Sequence, residues 1–337
     1  MGEAEYRQVR GDPSRVTVFG ESAGADAVAW LTNTPLAKGL FQRAIAESGL
    51  DFTLDGDPLV AAETSGQRFL AKLGAHDIES ARALDARVLQ DALGSSSSTS
   101  KSAFQPGPVL DGYVVPGDGY LIHQTGRFND TPVLIGSNSD EGSTFVAHGT
   151  TPSEFESRIR AQSGPYADAI LAAYPHATEA ESSQAMMDIV RDVGKGWPAW
   201  TWAALQSEKG KSSAYLYYFD VPTAQDPHGS PHGAEIGYVF DNLGTLIHSG
   251  AKRTWPAATT DPALATMISS FWVNFARTGN PNGPGLPHWP AFNTTTQQVM
   301  VLDSHPSARP LPNWRKLEAL DAYFRWQREE AKKKQAQ

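Results

Sequence analysis

The residues Gly20-Glu21-Ser22-Ala23-Gly24 place a serine between two glycines directly after a β-branched apolar run, Val16-Thr17-Val18-Phe19. Strand, tight turn, then helix is an order that lifts one hydroxyl out of a sheet edge. The expected reason for the glycines is steric, because side chains two residues either side of the serine would collide with strand and helix. Gly11-Asp12-Pro13 supplies a turn upstream, and residues 23–31 downstream are alanine-rich and helix-compatible, with Val28 and Leu31 three apart on one face. A serine hydroxyl is a poor nucleophile at neutral pH, so Ser22 needs a base that takes its proton and returns it to a leaving group. Of the nine histidines, His232 follows a strand-like run through a Pro- and Gly-rich loop and lies after the candidate acids in the chain; His228, four residues earlier, is its rival. The imidazole in turn needs a carboxylate to fix its tautomer, and Asp140 and Glu141 both follow another strand-like run. The backbone N–H of Ala23 is placed to donate to an oxyanion developing beside Ser22.

The elements that must position these groups read as alternating strands and helices, the pattern of a mostly parallel sheet covered on both faces. Strands are expected over 16–19, 44–46, 132–136 and 214–219, each ending next to a candidate site residue, and chemistry in open α/β sheets gathers at strand carboxyl ends. The clearest helix spans 261–277, with Leu264, Met267, Ile268, Phe271, Trp272 and Phe275 on one apolar face. Residues 94–102, GSSSSTSKS, read as a flexible polar loop, and 327–337 as a charged tail. Trp197, Trp200 and Trp202 cluster beside Pro198, and Leu50 and Phe52 follow Ser48-Gly49. Leu50, Phe52, Trp197 and Trp200 are candidates to line an acyl or aryl pocket. The competing expectation for tryptophans at a helix start with Pro198 in its first turn is core packing.

Composition narrows the partners. The chain has 337 residues, 40% hydrophobic and 19% charged, enough for a large core and read as one domain. With 28 basic and 37 acidic residues the formal charge is −9, which argues against binding nucleic acid or anionic membrane. There is no cysteine, so thiol catalysis and thiolate metal sites are excluded and the compartment stays undetermined. No apolar run is long enough to suggest a membrane span, and the polar start does not read as a signal peptide. Neither a metal motif nor a nucleotide loop is visible, so no cofactor and no metal are expected.

The stretch GDPSRVTVFGESAGADAVAWL, followed by PLAKGLFQRAIAESG, resembles the elbow region of type-B carboxylesterases. The likeness continues through Asp111-Gly112-Tyr113, the run from Val133 to Gly142, His232-Gly233-Ala234-Glu235-Ile236 and residues 271–290. The resemblance implies an α/β-hydrolase that splits small carboxylic esters through an acyl-enzyme, with Ser22, Glu141 and His232 as its triad. It places the histidine in HGAEI at His232 and the acid in N-x-D-E-G at Glu141, leaving Asp140 to shape the turn. It also implies supporting roles for Glu21 beside the nucleophile and for Ser48, which is expected to buttress the acid. The family's glycine-rich oxyanion loop precedes the elbow, yet none of the 21 residues before Ser22 forms one. The expectation is therefore a hydrolase fold incomplete at its N-terminus, with N-terminal strands missing. Such a chain would be an esterase, a fragment that is inactive or depends on an N-terminal complement or self-association at its sheet edge, or a non-catalytic interaction protein of the same fold.

Overall fold

A computed structural model describes residues 11–49, 52, 57–93, 107–222, 228–243 and 261–335. Leu50 and residues 94–102 lie outside them. The chain divides into two compact units, Met1–Thr53 with Asp118–Gln337, and Leu54–Gly117.

The larger unit is built on a six-stranded sheet. Its strands are β1 (Thr17–Glu21), β2 (Arg43–Glu47), β5 (Val133–Asn138), β6 (Ala214–Phe219), β7 (Gln298–Leu302) and β8 (Ser307–Pro310). They lie in the order β1-β2-β5-β6-β7-β8, parallel from β1 to β7, with β8 antiparallel to β7. The smaller unit holds a short parallel pair, β3 (Asp57–Pro58) and β4 (Val109–Leu110), with the helices Leu59–Lys72, Ile78–Arg82 and Ala86–Leu93.

Every residue of β5 and β6 is buried, as expected of parallel strands covered on both faces. Alternation along the strands divides the core. Ala44, Ala46, Val133, Ile135, Leu216 and Tyr218 pack with the helices Ala23–Asn33, Trp197–Lys209 and Trp314–Gln335. On the other face Ile45, Leu134, Tyr215, Tyr217 and Phe219 pack with Leu264, Ile268, Phe271, Trp272 and Phe275 of the helix Pro262–Thr278. That helix is delimited by its ends: the Asp261 carboxylate accepts from the N–H groups of Ala263 and Leu264, and Gly279 closes it at φ 78°.

Register places one row of residues across the sheet: Glu21 opposite Glu47, Glu47 opposite Gly136, and Gly136 opposite Tyr217. Residues in one row point to the same face. A Cβ on Gly136 would lie 2.4 Å from the Tyr217 ring, so the glycine lets that ring cross β5 toward the two glutamates.

One local expectation changes, and the charged tail, readable from sequence as helix or disorder, takes the first form. Leu31 is 39% exposed while Val28 is buried, so the stripe inferred from their spacing is not the buried face. The charged tail is helical through Gln335, and Arg328 within it is buried, donating to Asp118 at 3.1 Å and to the Phe52 carbonyl, with its guanidinium 4.1 Å over the Tyr120 ring. A lone basic residue in a charged run gives no sequence signal for this. No helix among the described residues is long and apolar enough to cross a membrane.

Candidate active site

Ser22 follows β1 and precedes the helix Ala23–Asn33 at φ 56°, ψ −122°, a conformation that side chains rarely adopt. Its backbone is fixed from both sides. Its N–H donates to Glu47 O of β2 at 2.9 Å, and its carbonyl accepts from Ala25 and Asp26 at 2.9 and 3.1 Å. The two motif glycines are unequal. A Cβ on Gly20 would come within 2.4 Å of the Gly24 backbone, whereas one on Gly24 would meet nothing within 4 Å. The expectation that both glycines answer to the size of their own side chains therefore holds for Gly20 alone. Gly49 adds a second close approach, since its Cβ would lie 2.3 Å from Ser22 O.

His232 stands between two of the candidates named from sequence. Its Nε2 is 2.8 Å from Ser22 Oγ and its Nδ1 is 2.5 Å from Glu141 Oε2. His228 is exposed on the same loop. Glu141 opens a 3₁₀ turn, Glu141–Thr144, after β5; it is fully buried, and its Oε1 accepts from the Asn138 N–H at 2.8 Å. Asp140 precedes that turn, and its carbonyl accepts from Ser143. Glu21 also reaches the imidazole, with Oε1 3.3 Å from His232 Nε2. Burial raises the Glu21 carboxyl, partly countered by that imidazole. Ala23 is the first residue of its helix, where N–H groups have no intrahelical acceptor.

The loops carrying the acid and the histidine are braced together. Ser230 N–H donates to Ser139 Oγ at 2.8 Å, Asp140 N–H to Ser230 O at 2.9 Å, and the Asn138 amide to Pro231 O at 2.9 Å. Behind the acid, a Cβ on Gly142 would sit 2.0 Å from Met187 O, so the turn lies directly on the helix Glu179–Arg191. From that helix Arg191 donates to Ser139 O at 2.7 Å.

Other candidates lie elsewhere. Ser48, expected against the acid, donates instead to Glu235 Oε1 at 3.1 Å. The side chain meets a second buried carboxyl because Glu235 lies three residues beyond His232 and is also held by Asn138, at 2.5 Å. Phe52 and Trp197 are fully buried core residues. Phe52 packs edge-on against His123 and Trp202, and Trp197 stacks on Phe324 at 4.1 Å. Trp200 is partly buried against the same core. Apolar burial on the helix side of the sheet claims these rings and takes Phe52 and Trp197 out of reach as pocket walls. Sequence reasoning gave no role to Asn138, Glu235 or Glu47, or to Phe145, whose ring lies 5.1 Å from that of His232. Asn138 and Glu235 stood inside the quoted motifs, but nothing in their spacing shows that they meet.

Residues 7–320 match the model of the carboxylesterase family. The chain is 34% identical over 293 residues to a fumonisin B1 esterase of Sphingopyxis macrogoltabida, covering 85% of this chain and 53% of that protein. It is 32% identical over 311 residues to a para-nitrobenzyl esterase of Bacillus subtilis (strain 168), covering 87% and 59%. A solved structure titled PNB esterase superposes with a TM-score of 0.70 at 29% identity, over 92% of this chain and 64% of that one. The chain thus spans somewhat more than half the length of these curated relatives. Elbow, sheet order and family match agree, and the chain belongs to the carboxylesterase family, with an α/β-hydrolase fold.

Proposed function

We propose that this chain carries the hydrolytic centre of a serine carboxylesterase acting on small carboxylic esters, with Ser22 as nucleophile, His232 as general base and acid, and Glu141 as the carboxylate that orients the imidazole. The observation that carries this reading is the unbroken contact from Ser22 Oγ to His232 Nε2 at 2.8 Å and from Nδ1 to Glu141 at 2.5 Å. In the forward half, Ser22 Oγ attacks the ester carbonyl as its proton passes to Nε2. The imidazolium that forms is stabilised by Glu141 and gives the proton to the departing alkoxide, leaving an acyl-enzyme. In the return half, water attacks the acyl carbon, its proton passes to Nε2, and Ser22 leaves with that proton. The Ala23 N–H supplies one donor to each tetrahedral oxyanion. Glu21 places a second carboxylate edge on Nε2, an attractive position for the imidazolium. Para-nitrobenzyl and fumonisin B1 esters, named for two relatives, are the first substrates to assay.

A serine-directed phosphonate tests the nucleophile without requiring turnover. The expected adduct, read by mass spectrometry of a digest, is on Ser22, and label on another serine overturns the assignment. In active preparations Ser22→Ala and His232→Ala should each cost on the order of 10⁶ in kcat, and the double variant little more, because triad members act as a unit. Glu141→Gln should cost on the order of 10⁴ by mis-setting the tautomer, and Asp140→Asn far less. The reverse order transfers the role to Asp140.

A further inference from the structure

Four glutamates converge on one buried region behind Ser22. Glu21 and Glu47 arrive from the same register row of β1 and β2, Glu141 from the turn after β5, and Glu235 from the loop that carries His232. Tyr217 crosses toward them from β6. Glu47, Glu141 and Glu235 are buried, and carboxylates sharing one dry site cannot all be ionised.

Hydrogen-bond partners decide where the charge resides. Glu141 has a backbone N–H on one oxygen and on the other an imidazole that becomes a cation during the proposed cycle. Among the described residues Glu235 has only neutral partners, the Asn138 amide on Oε2 and the Ser48 hydroxyl on Oε1. Glu47 has one, the Trp272 indole N–H at 2.5 Å. Asn138 is the hub. Its main chain donates to Glu141 while its two amide hydrogens reach Pro231 O and Glu235, so a single residue ends β5, holds the acid and ties it to the histidine loop.

We propose that Glu235 and Asn138 are positioning residues that act on His232 through Glu141: Glu235 is a permanently protonated acid, held by Asn138 and Ser48, that leaves Glu141 as the one ionised carboxylate against Nδ1. This rests on the assignment of His232 and Glu141 above. The Ser48 hydroxyl donates to Oε1 and the Asn138 amide to Oε2. Burial, reinforced by the charges of Glu141 and Glu47, holds Glu235 well above the usual carboxyl range. Burial also pushes Glu47 up to about 7, and the Tyr217 hydroxyl, buried among all four carboxyls, keeps its proton.

The sign of the kinetic consequence is fixed. An ionised Glu235 would favour the imidazolium, so its replacement by neutral Gln would move the acid limb of the pH–rate profile to lower pH; a protonated Glu235 is electrically equivalent to Gln and the limb stays. Infrared difference spectra of the full chain provide the first test, and need no activity. The expected result is a protonated-carboxyl carbonyl band that survives to about pH 8, disappears in Glu235→Gln and remains in Glu47→Gln, a variant that lacks the parent's separate Glu47 band bleaching near 7. A band unchanged by Glu235→Gln overturns the proposal. In active preparations Glu235→Gln should keep the acid limb within about 0.2 pH unit, and a limb displaced downward overturns it too. Asn138→Asp, which exchanges a donor for a further carboxyl, should lower kcat more than about tenfold at unchanged KM; wild-type kcat removes Asn138 from the proposal. Loss of phosphonate labelling at Ser22 would count against the triad alone, whereas the infrared band reports on Glu235 alone.

Discussion

At the scale of single residues, two buried titratable groups outside the proposed triad bend the stability curve in opposite directions. His123 is buried between Phe128, stacked at 4.4 Å, and the edges of Phe52 and Trp202, and burial lowers it to about 4. The unfolded chain takes up that proton near 6.5, so this contribution to stability is intact above 6.5 and is lost as pH falls toward 4, in total roughly 3 kcal/mol. His123→Phe should flatten the melting temperature between pH 7 and 4, and a wild-type slope in the variant would refute the assignment. Glu47 has the opposite sign. It keeps its proton to about 7 when folded, so its contribution is full below the unfolded value near 4.5 and is lost as pH rises through 7. Glu47→Gln preserves an acceptor for Trp272 and should stabilise the protein at pH 8 but not at pH 4; equal effects at both would mean the carboxyl is ionised throughout.

Elements convert sequence spacing into the distances of the site, and close approaches set the tolerances. Gly20, Gly49 and Gly142 each sit where a Cβ would strike backbone, at 2.4, 2.3 and 2.0 Å. Gly142→Ala must push the acid turn off the helix Glu179–Arg191. It should cost about 1–3 kcal/mol and reduce kcat beyond what its melting temperature explains. Gly24→Ala meets open space and replaces a poor helix former, so it should fold at least as stably as the parent. Equal damage from both substitutions would show that motif membership, not packing, decides. The β-branched and apolar runs that end at Phe19, Ala46, Gly136 and Phe219 were legible because buried parallel strands need uninterrupted apolar residues, and the helix Pro262–Thr278 because its apolar stripe has one phase. The candidates Ser22, Glu141 and His232 were legible through motifs tied to strand ends. What could not be read were groups that meet only across register. Glu21 and Glu47 are 26 positions apart in sequence, and Ser48 reaches Glu235 across 187. For the tryptophans two readings stood side by side, because a large amphipathic ring has the same local signature in a pocket wall and in a core, and the burial of Trp197 and Trp202 fits the core reading.

For the larger unit as a whole, the strand that leads into Ser22 is one of the two edge strands, β8 being the other, and among the described residues no strand pairs with its outer side. β1 ends the six-stranded sheet, although parallel sheets are ordinarily covered and continued on both sides of such a strand. Its Phe19 is 53% exposed and contacts Phe240, itself 58% exposed, with ring centroids 6.1 Å apart. A row of unpaired backbone groups beside such apolar surface is a template for another β-strand. The chain made alone should therefore associate with itself, with light-scattering mass rising with concentration, and Phe19→Lys should return it toward the monomer. Pairing at β1 also bears on turnover. A strand laid beside β1 ends next to Ser22, where it can add N–H donors to the one proposed for Ala23, and a single oxyanion donor is worth about 10² to 10³ in kcat. Co-expression with the N-terminal segment of a full-length relative, such as the Bacillus subtilis para-nitrobenzyl esterase, should suppress self-association and raise kcat on para-nitrobenzyl esters by at least about 10², while Ser22→Ala in the same mixture stays silent. A concentration-independent monomer with full turnover by itself would mean that β1 needs no partner and that every oxyanion donor already resides in this chain.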